Sequence, residues 1–430
     1  MEAQTMRVLI LTAVIFFSQV INATPTIEPI GENNDYLYVQ LNALPIVDIN
    51  LSLKQGSISD GVMPGLTNLM LSSLMASEIN NKKLISYFEN VGAKLSYSVN
   101  KETLSISIRS LSDIDQIMRL LNLLNQALFI ETIDNVNFDL QKDKIIRAIS
   151  ESKKKVSSVL ESSISEKLFN ETPLSHQPLG TEQSIMRITK KDIIIHRDKI
   201  FNFDNLEINI VGDITLKESK RLIGQLTNKF SENRLNPFPQ YHINAVEHHT
   251  EFDSTQSHLA VIIPAISRTN PDYHNLLVAN YIFGGSGFGS WLMEEIRQKR
   301  GLSYSVYSYL STYQDSGYLR ISLQTKNENI SLAKNIIREQ IDKLKRFDVE
   351  NSKIKSTKES ILRGFEMRAD TNRKILNLIT SINYMNLELS YFEDYKNLLR
   401  QVNKESIQAA LARSVDFENI SVFTVGKQIE

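Results

Sequence analysis

Three short stretches of this 430-residue chain occur twice, in the same order and at nearly the same separation. Leu95-Ser96-Tyr97-Ser98-Val99 returns as Leu302-Ser303-Tyr304-Ser305-Val306. Ile106-Ser107-Ile108-Arg109 is echoed by Leu319-Arg320-Ile321-Ser322-Leu323, and Asn205 to Gly212 resembles Asn419 to Gly426. One five-residue match can arise by chance, but three collinear ones point to two homologous halves. The length agrees, because one core rarely serves so long a chain, whereas two domains of about 200 residues each are ordinary.

Each half repeats one coarse plan. A strand opens it, over Ile46 to Leu53 and again over His258 to Ile263. A long helix follows, then a strand carrying the repeated Leu-Ser-Tyr-Ser-Val. Another strand comes next, Thr103 to Arg109 and Tyr318 to Thr325. Apolar residues then recur at helical spacing: Ile114, Ile117, Met118, Leu121, Leu124 and Leu128, and later Leu332, Ile336, Ile337, Ile341 and Leu344. Asp113 and Ser331 stand near the starts of these runs, where caps are favoured. Strands joined by short connections, with helices grouped after them, predict two α+β domains. Each would have a mixed, mainly antiparallel sheet with helices packed on one face. The expected boundaries are a leader over 1–23, a first domain over 24–230, a linker over 231–252 and a second domain over 253–430. The linker rests on Asn233 to Gln240, which holds Pro237 and Pro239 and little periodicity.

The leader reads as an export signal. Arg7 precedes the apolar run Val8 to Phe17, and the stretch closes at Ala23. The run is too short to span a bilayer comfortably, and no later stretch approaches that length. An uncleaved anchor is the alternative reading. An exported, periplasmic location is therefore expected, with no stable membrane span after cleavage. The chain has no cysteine, so packed cores must hold it together without disulfides. Lys and Arg total 48 against 49 Asp and Glu, which leaves no electrostatic argument for nucleic acid. The run Lys153-Lys154-Lys155 reads as a solvated helix face.

The most distinctive segment runs from Gly284-Gly285-Ser286-Gly287-Phe288-Gly289 through Arg297 to Gly301-Leu302-Ser303-Tyr304. It lacks the spacing of a phosphate-binding loop, and Phe288 stands where a nucleophile elbow needs its last glycine. A flexible turn between helices is the plain structural alternative. With Pro264-Ala265-Ile266, Asn270 to Tyr273 and Val278 to Tyr281, the segment resembles the C-terminal domain signature of the pitrilysin/insulinase metallopeptidase family. Leu44-Pro45 and Val211-Gly212-Asp213 extend the resemblance over nearly all the mature chain. It implies two insulinase-like domains, with Arg297 and Tyr304 as catalytic residues and the Gly284–Gly289 segment, Ser286 and Phe288 included, as a substrate clamp. A tyrosine hydroxyl can donate to the oxygen that gains charge in peptide hydrolysis, and a guanidinium can hold the substrate carbonyl. Packing of Tyr304 in a sheet and solvation of Arg297 on a helix is the rival reading.

The same resemblance exposes a loss. Active members carry H-x-x-E-H on the first long helix, two zinc ligands one turn apart with a base between them. Here Asn68, Leu71 and Ser72 occupy those positions, and the first histidine of the chain is His176. Glu151 is the nearest candidate for the family's downstream acidic ligand, and alone it reads as a solvated helix residue. Glu247-His248-His249, with His242 and His258, is the one histidine-rich stretch, but adjacent histidines on a strand face opposite ways. Nothing in the sequence locates a Ser-His-Asp triad. No cofactor is expected in this chain. Family members that work as two chains place zinc in one and the arginine–tyrosine pair in the other. The resemblance thus implies a homologous zinc-bearing partner subunit and a peptide substrate. The competing expectation is a non-catalytic peptide-binding or assembly protein. Trp291 departs from the family pattern, and its role is left open by the sequence.

Overall fold

The computed structural model describes residues 26–31, 35–232, 244–314 and 316–428. The expected leader, and residues 233–243 of the expected linker with His242, lie outside them. No helix among the described residues is long and apolar enough to cross a membrane.

The first sheet contains β1 (Glu28–Ile30), β2 (Tyr36–Gln40), β3 (Ile46–Leu53), β4 (Lys94–Val99), β5 (Leu104–Leu111) and β6 (Leu206–Gly212), in spatial order β1-β2-β6-β3-β5-β4. The second contains β7 (Glu247–Glu251), β8 (Gln256–Ala265), β9 (Val306–Thr312), β10 (Gly317–Lys326) and β11 (Ser421–Gly426), in order β9-β10-β8-β11-β7. Apart from β1 the two orders are the same. The one parallel pairing of each repeat also recurs, β2 with β6 and β7 with β11. Strand β7 falls inside the expected linker, whose last residues are therefore part of the second sheet. Its polar sequence Glu-His-His-Thr-Glu hid it, because an edge strand has little apolar patterning.

Register refines the repeat. Ile210, Ile49, Ile108 and Leu95 lie across the first sheet as Thr424, Leu259, Leu323 and Val306 lie across the second. The third sequence match is thus structural. The second is too, with Ile106 placed as Ile321. The first match is out of register: Tyr97 corresponds to Ser308, and Tyr304 sits before the strand begins. Gly301, at φ 62°, turns the chain there. The Ser303 hydroxyl donates to Ser305 O at 2.8 Å and accepts from Ser305 N at 3.2 Å, and Thr325 Oγ1 donates to Leu302 O at 2.6 Å. Side chains have taken the backbone groups that a strand would pair.

Each sheet packs its own helices on one face. The first carries α1 (Leu66–Met75), α2 (Ile114–Leu128), α3 (Asn135–Lys153) and α5 (Leu216–Thr227), and α4 (Val156–Leu168) lies between α3 and α5 in sequence. Asp113 caps α2, accepting from Gln116 N at 3.0 Å. Ser331, by contrast, lies within the helix Ile330–Arg346, whose N-cap is Asn329.

The other face of each sheet is covered by a helix from the opposite half, which no sequence pattern announced. Helix α4 lays Leu160, Ile164 and Leu168 on Ala260, Ile262, Phe423 and Val425 of the second sheet. Reciprocally, the helix Asn372–Tyr384 crosses β6 and β3, and Asn383 donates to Asn209 Oδ1 at 3.2 Å. Leu37, Val39 and Val211 join the second core while their strand neighbours Tyr38 and Ile210 join the first. Alternate residues face opposite sides, so strands covered on both faces lose their polar alternation. All seven residues of β6 are buried. Each leucine or isoleucine that α4 buries contributes roughly 1.5–3 kcal/mol, so the two halves hold together as one molecule.

Candidate functional site

Two surfaces hold the residues singled out by sequence. The first is α1. Gly65, at φ 91°, precedes it, and Asp60 serves its N-terminus. The Asp60 carboxylate accepts from Gly65 N at 2.6 Å, Thr67 N at 2.8 Å and Thr67 Oγ1 at 2.6 Å. His196 Nε2 lies 2.8 Å from Thr67 Oγ1, and burial pushes its pKa down to about 4, so the imidazole is neutral. The helix start is thus held by Asp60, Thr67 and His196, which no sequence motif marks.

Asn68 and Ser72 share one face of α1, with Ser72 Oγ 3.5 Å from Asn68 Oδ1. Leu71 is fully buried in the first core. Asn68 lines a cavity of about 750 Å³, which α3 faces with Ile149 and Ser152. Glu151 points elsewhere: it is exposed and pairs with Lys154 at 2.7 Å. An amide, a hydroxyl and apolar side chains are poor zinc donors, and leucine cannot accept a proton. The donor set does not fit zinc. Among the described residues no group of three or more His, Asp or Glu side chains could hold a metal ion. His248 and His249 do alternate. His249 Nδ1 lies 2.9 Å from Thr424 Oγ1, while His248 Nε2 lies 3.2 Å from Thr250 Oγ1.

The second surface is the glycine-rich segment, and it divides in two. Gly284 and Gly285 end a wide helical turn over Tyr281–Gly285 rather than a loop. A Cβ on Gly284 would stand 2.4 Å from Ser308 Oγ and 2.9 Å from Ser308 N, so this glycine permits close packing on β9. Gly287 and Gly289 are different. Their φ angles are 65° and 93°, nothing lies within 4 Å of an added Cβ, and they form the turn itself. The Ser290 hydroxyl donates to Gly287 O at 2.8 Å, and Lys353 Nζ reaches Gly289 O at 3.2 Å. Phe288 projects from the turn, 68% exposed.

Arg297 and Tyr304 are brought together, through a backbone atom. Arg297 Nη1 donates to Tyr304 O at 2.9 Å, and its guanidinium lies 4.6 Å from the centre of the Phe288 ring. The Tyr304 ring is left 85% exposed. Trp291 packs on Phe347, with ring centres 6.1 Å apart, and Lys343 Nζ lies 4.2 Å from its ring centre. The tryptophan therefore closes its own domain and leaves the turn alone.

One contact between the two halves was not foreseen. Arg320 of β10, buried, forms a two-pronged ion pair with Glu161 of α4, Nη1 to Oε2 at 2.8 Å. A charged residue between Leu319 and Ile321 was the available signal.

Family models match both halves. The model described as insulinase, peptidase family M16, matches residues 38–182, and the peptidase M16 inactive domain matches residues 187–361. The chain is 26% identical over 384 residues to a Helicobacter pylori protein named non-peptidase homolog YmxG, covering 86% of each. It is 22% identical over 306 residues to subunit beta of the mitochondrial-processing peptidase of Saccharomyces cerevisiae, covering 67% of this chain and 66% of the relative. The crystal structure of a peptidase M16 inactive domain from Pseudomonas fluorescens superposes with a TM-score of 0.87 at 24% identity, covering 94% of this chain and 98% of that one. With both halves matching M16 domains and a first helix that lacks the zinc ligands, the chain belongs to peptidase family M16, the insulinase family, as a catalytically incomplete member.

Proposed function

We propose that this chain is the zinc-free subunit of an exported peptidase, and that a homologous partner supplies the zinc and the activated water. Arg297 and Tyr304 act on the peptide held between the two chains, and the Gly287–Gly289 turn clamps it. The observation that carries this reading is the Arg297–Tyr304 contact. The guanidinium fixes the Tyr304 backbone at 2.9 Å while the phenol stays 85% exposed beside an open turn. A hydroxyl so presented can donate to an oxygen that gains charge in the transition state, and one such donor is worth about 100- to 1,000-fold in rate. The name of the yeast relative, a peptidase subunit, is in keeping with work in more than one chain.

The test has two steps. The tagged chain is purified from the exported fraction, and a similar-sized chain bearing H-x-x-E-H is expected to accompany it. In that assembly Tyr304→Phe should lower turnover by about 100-fold with assembly unchanged. Unchanged turnover would remove Tyr304 from the chemistry.

A second reading, a peptide-binding or assembly protein without enzymology, has one observation in its favour. Arg297 is already engaged by the Tyr304 carbonyl and the Phe288 ring. Recovery of the chain with no zinc-bearing relative would support it.

A further inference from the structure

The Arg320–Glu161 pair is asymmetric. The Arg320 side chain is 8% exposed and the Glu161 side chain 48%. Arg320 is fixed further by Nε, which donates to Ser322 Oγ at 3.0 Å, and its guanidinium lies 5.9 Å from the centre of the Tyr309 ring. Among the described residues Glu161 is the one carboxylate paired with it. The buried cation thus belongs to one half of the molecule and its half-exposed counter-ion to the other.

The pair also has space beside it. Arg320, Glu161, His258, Ser305, Tyr307 and Gln324 line a cavity of about 280 Å³. Burial holds His258 below its usual pKa, so Arg320 and Glu161 carry the charge of this cavity at neutral pH. Glu161 also lines the larger cavity that reaches Asn68. Tyr307 and Tyr309 stack with ring centres 6.0 Å apart on β9, an edge strand of the second sheet. They offer an apolar bench next to the guanidinium.

A planar guanidinium gripping two carboxylate oxygens is the geometry with which arginine recognises carboxylates in general. A half-exposed glutamate is a weak holder of such a place, because solvent screens it and ordering its side chain costs entropy. We infer that Arg320 is a recognition site for a carboxylate on a bound peptide, and that Glu161 holds that place when no peptide is bound. Exchange needs no movement of α4, whose Leu160, Ile164 and Leu168 stay packed on the second sheet. The displaced glutamate remains within the field of Lys101, whose buried ammonium it favours. The two carboxylates exchange places without burying an unpaired charge.

The inference rests on the peptide-binding part of the proposed function and requires neither the zinc partner nor hydrolysis. Its test is direct binding to the whole mature chain. Three fluorescent peptides of one neutral sequence are compared by anisotropy: one with a free C-terminal carboxylate, one amidated, and one amidated with a single internal glutamate. Glu161→Gln should tighten binding of a carboxylate-bearing peptide by about tenfold and leave the neutral amide unchanged. A gain for the free C-terminus alone assigns the site to peptide ends, and a gain for the internal glutamate assigns it to acidic side chains. Adding Arg320→Gln to Glu161→Gln should abolish the gain. If that variant does not fold, Arg320→Lys, which keeps the charge without the fork, should lose most of it. Equal binding of all three peptides to Glu161→Gln, or a gain that survives the loss of the arginine, would overturn the inference.

Discussion

The helices that follow the opening strands of the two halves have diverged in opposite directions. In the first half α1 is regular, its start locked by Asp60 and Thr67, and its inner face buried in the core. In the second half the corresponding stretch is interrupted. Tyr273–Asn280 widens into Tyr281–Gly285, opens at Gly287 and Gly289, and resumes at Met293–Gln298. The five-stranded order beneath them is unchanged. Central strands buried on both faces tolerate little change, because their residues serve a core on either side. Divergence therefore collects where helices meet the cavity or solvent. One half kept a cavity without the chemistry, and the other kept exposed side chains on an open turn.

The comparison can be broken most severely at α1. Leu71→Glu restores the residue type of a catalytic base but places a carboxylate in a fully buried position. It should cost roughly 3 kcal/mol or more, and thermal unfolding would reveal it. Unchanged stability would mean that α1 faces open space, as an active helix does.

The next effect depends on pH. Glu207 of β6 occupies the strand position that Ser421 holds in β11. Burial pushes its carboxyl up to about 7, against the pull of Lys54 at 2.7 Å. The folded pKa lies above the unfolded value of 4.5. Stability is thus fully present below pH 4.5 and falls as pH rises through about 7, by about 3 kcal/mol. Glu207→Gln should flatten this part of the profile of Tm against pH. A wild-type Tm that does not fall across the window would place Glu207 in a more hydrated setting.

The glycines sharpen the contrast within the second half. Gly284→Ala should destabilise by roughly 1–3 kcal/mol, since the added methyl meets the β9 backbone. Gly287→Ala meets nothing and should cost about 1 kcal/mol for its positive φ. Denaturant titration of both variants tests the division between a packing glycine and a turn glycine, and the reverse order would erase it. The smallest effect is expected at Glu151→Ala, which should leave Tm unchanged, because an exposed helix pair contributes little.

Much of this was legible in the residues. The absence of histidine before His176 removed the zinc motif whatever the helix register, and the apolar spacing placed α2 and the helix Ile330–Arg346 within a residue or two. Other signals were local but misleading. Tyr97 and Tyr304 share a pentapeptide yet not a strand position, because Ser303 and Thr325 claim the backbone around Tyr304. Strand β7 has no apolar pattern, and its place comes from pairing with β11.

The sequence by itself determined the twofold repeat, the lost zinc ligands and the glycine-rich turn. Each depends on residue identity or on spacing along a few turns of chain. The tertiary structure alone decided that each half lends a helix to the other's sheet, that Gly284 serves packing while Gly287 opens, and that Glu161 meets Arg320. Those contacts include Glu161 with Arg320, 159 positions apart, and Asn209 with Asn383, 174 positions apart. Local periodicity says which face of an element is apolar, but it carries no record of which distant face will cover it.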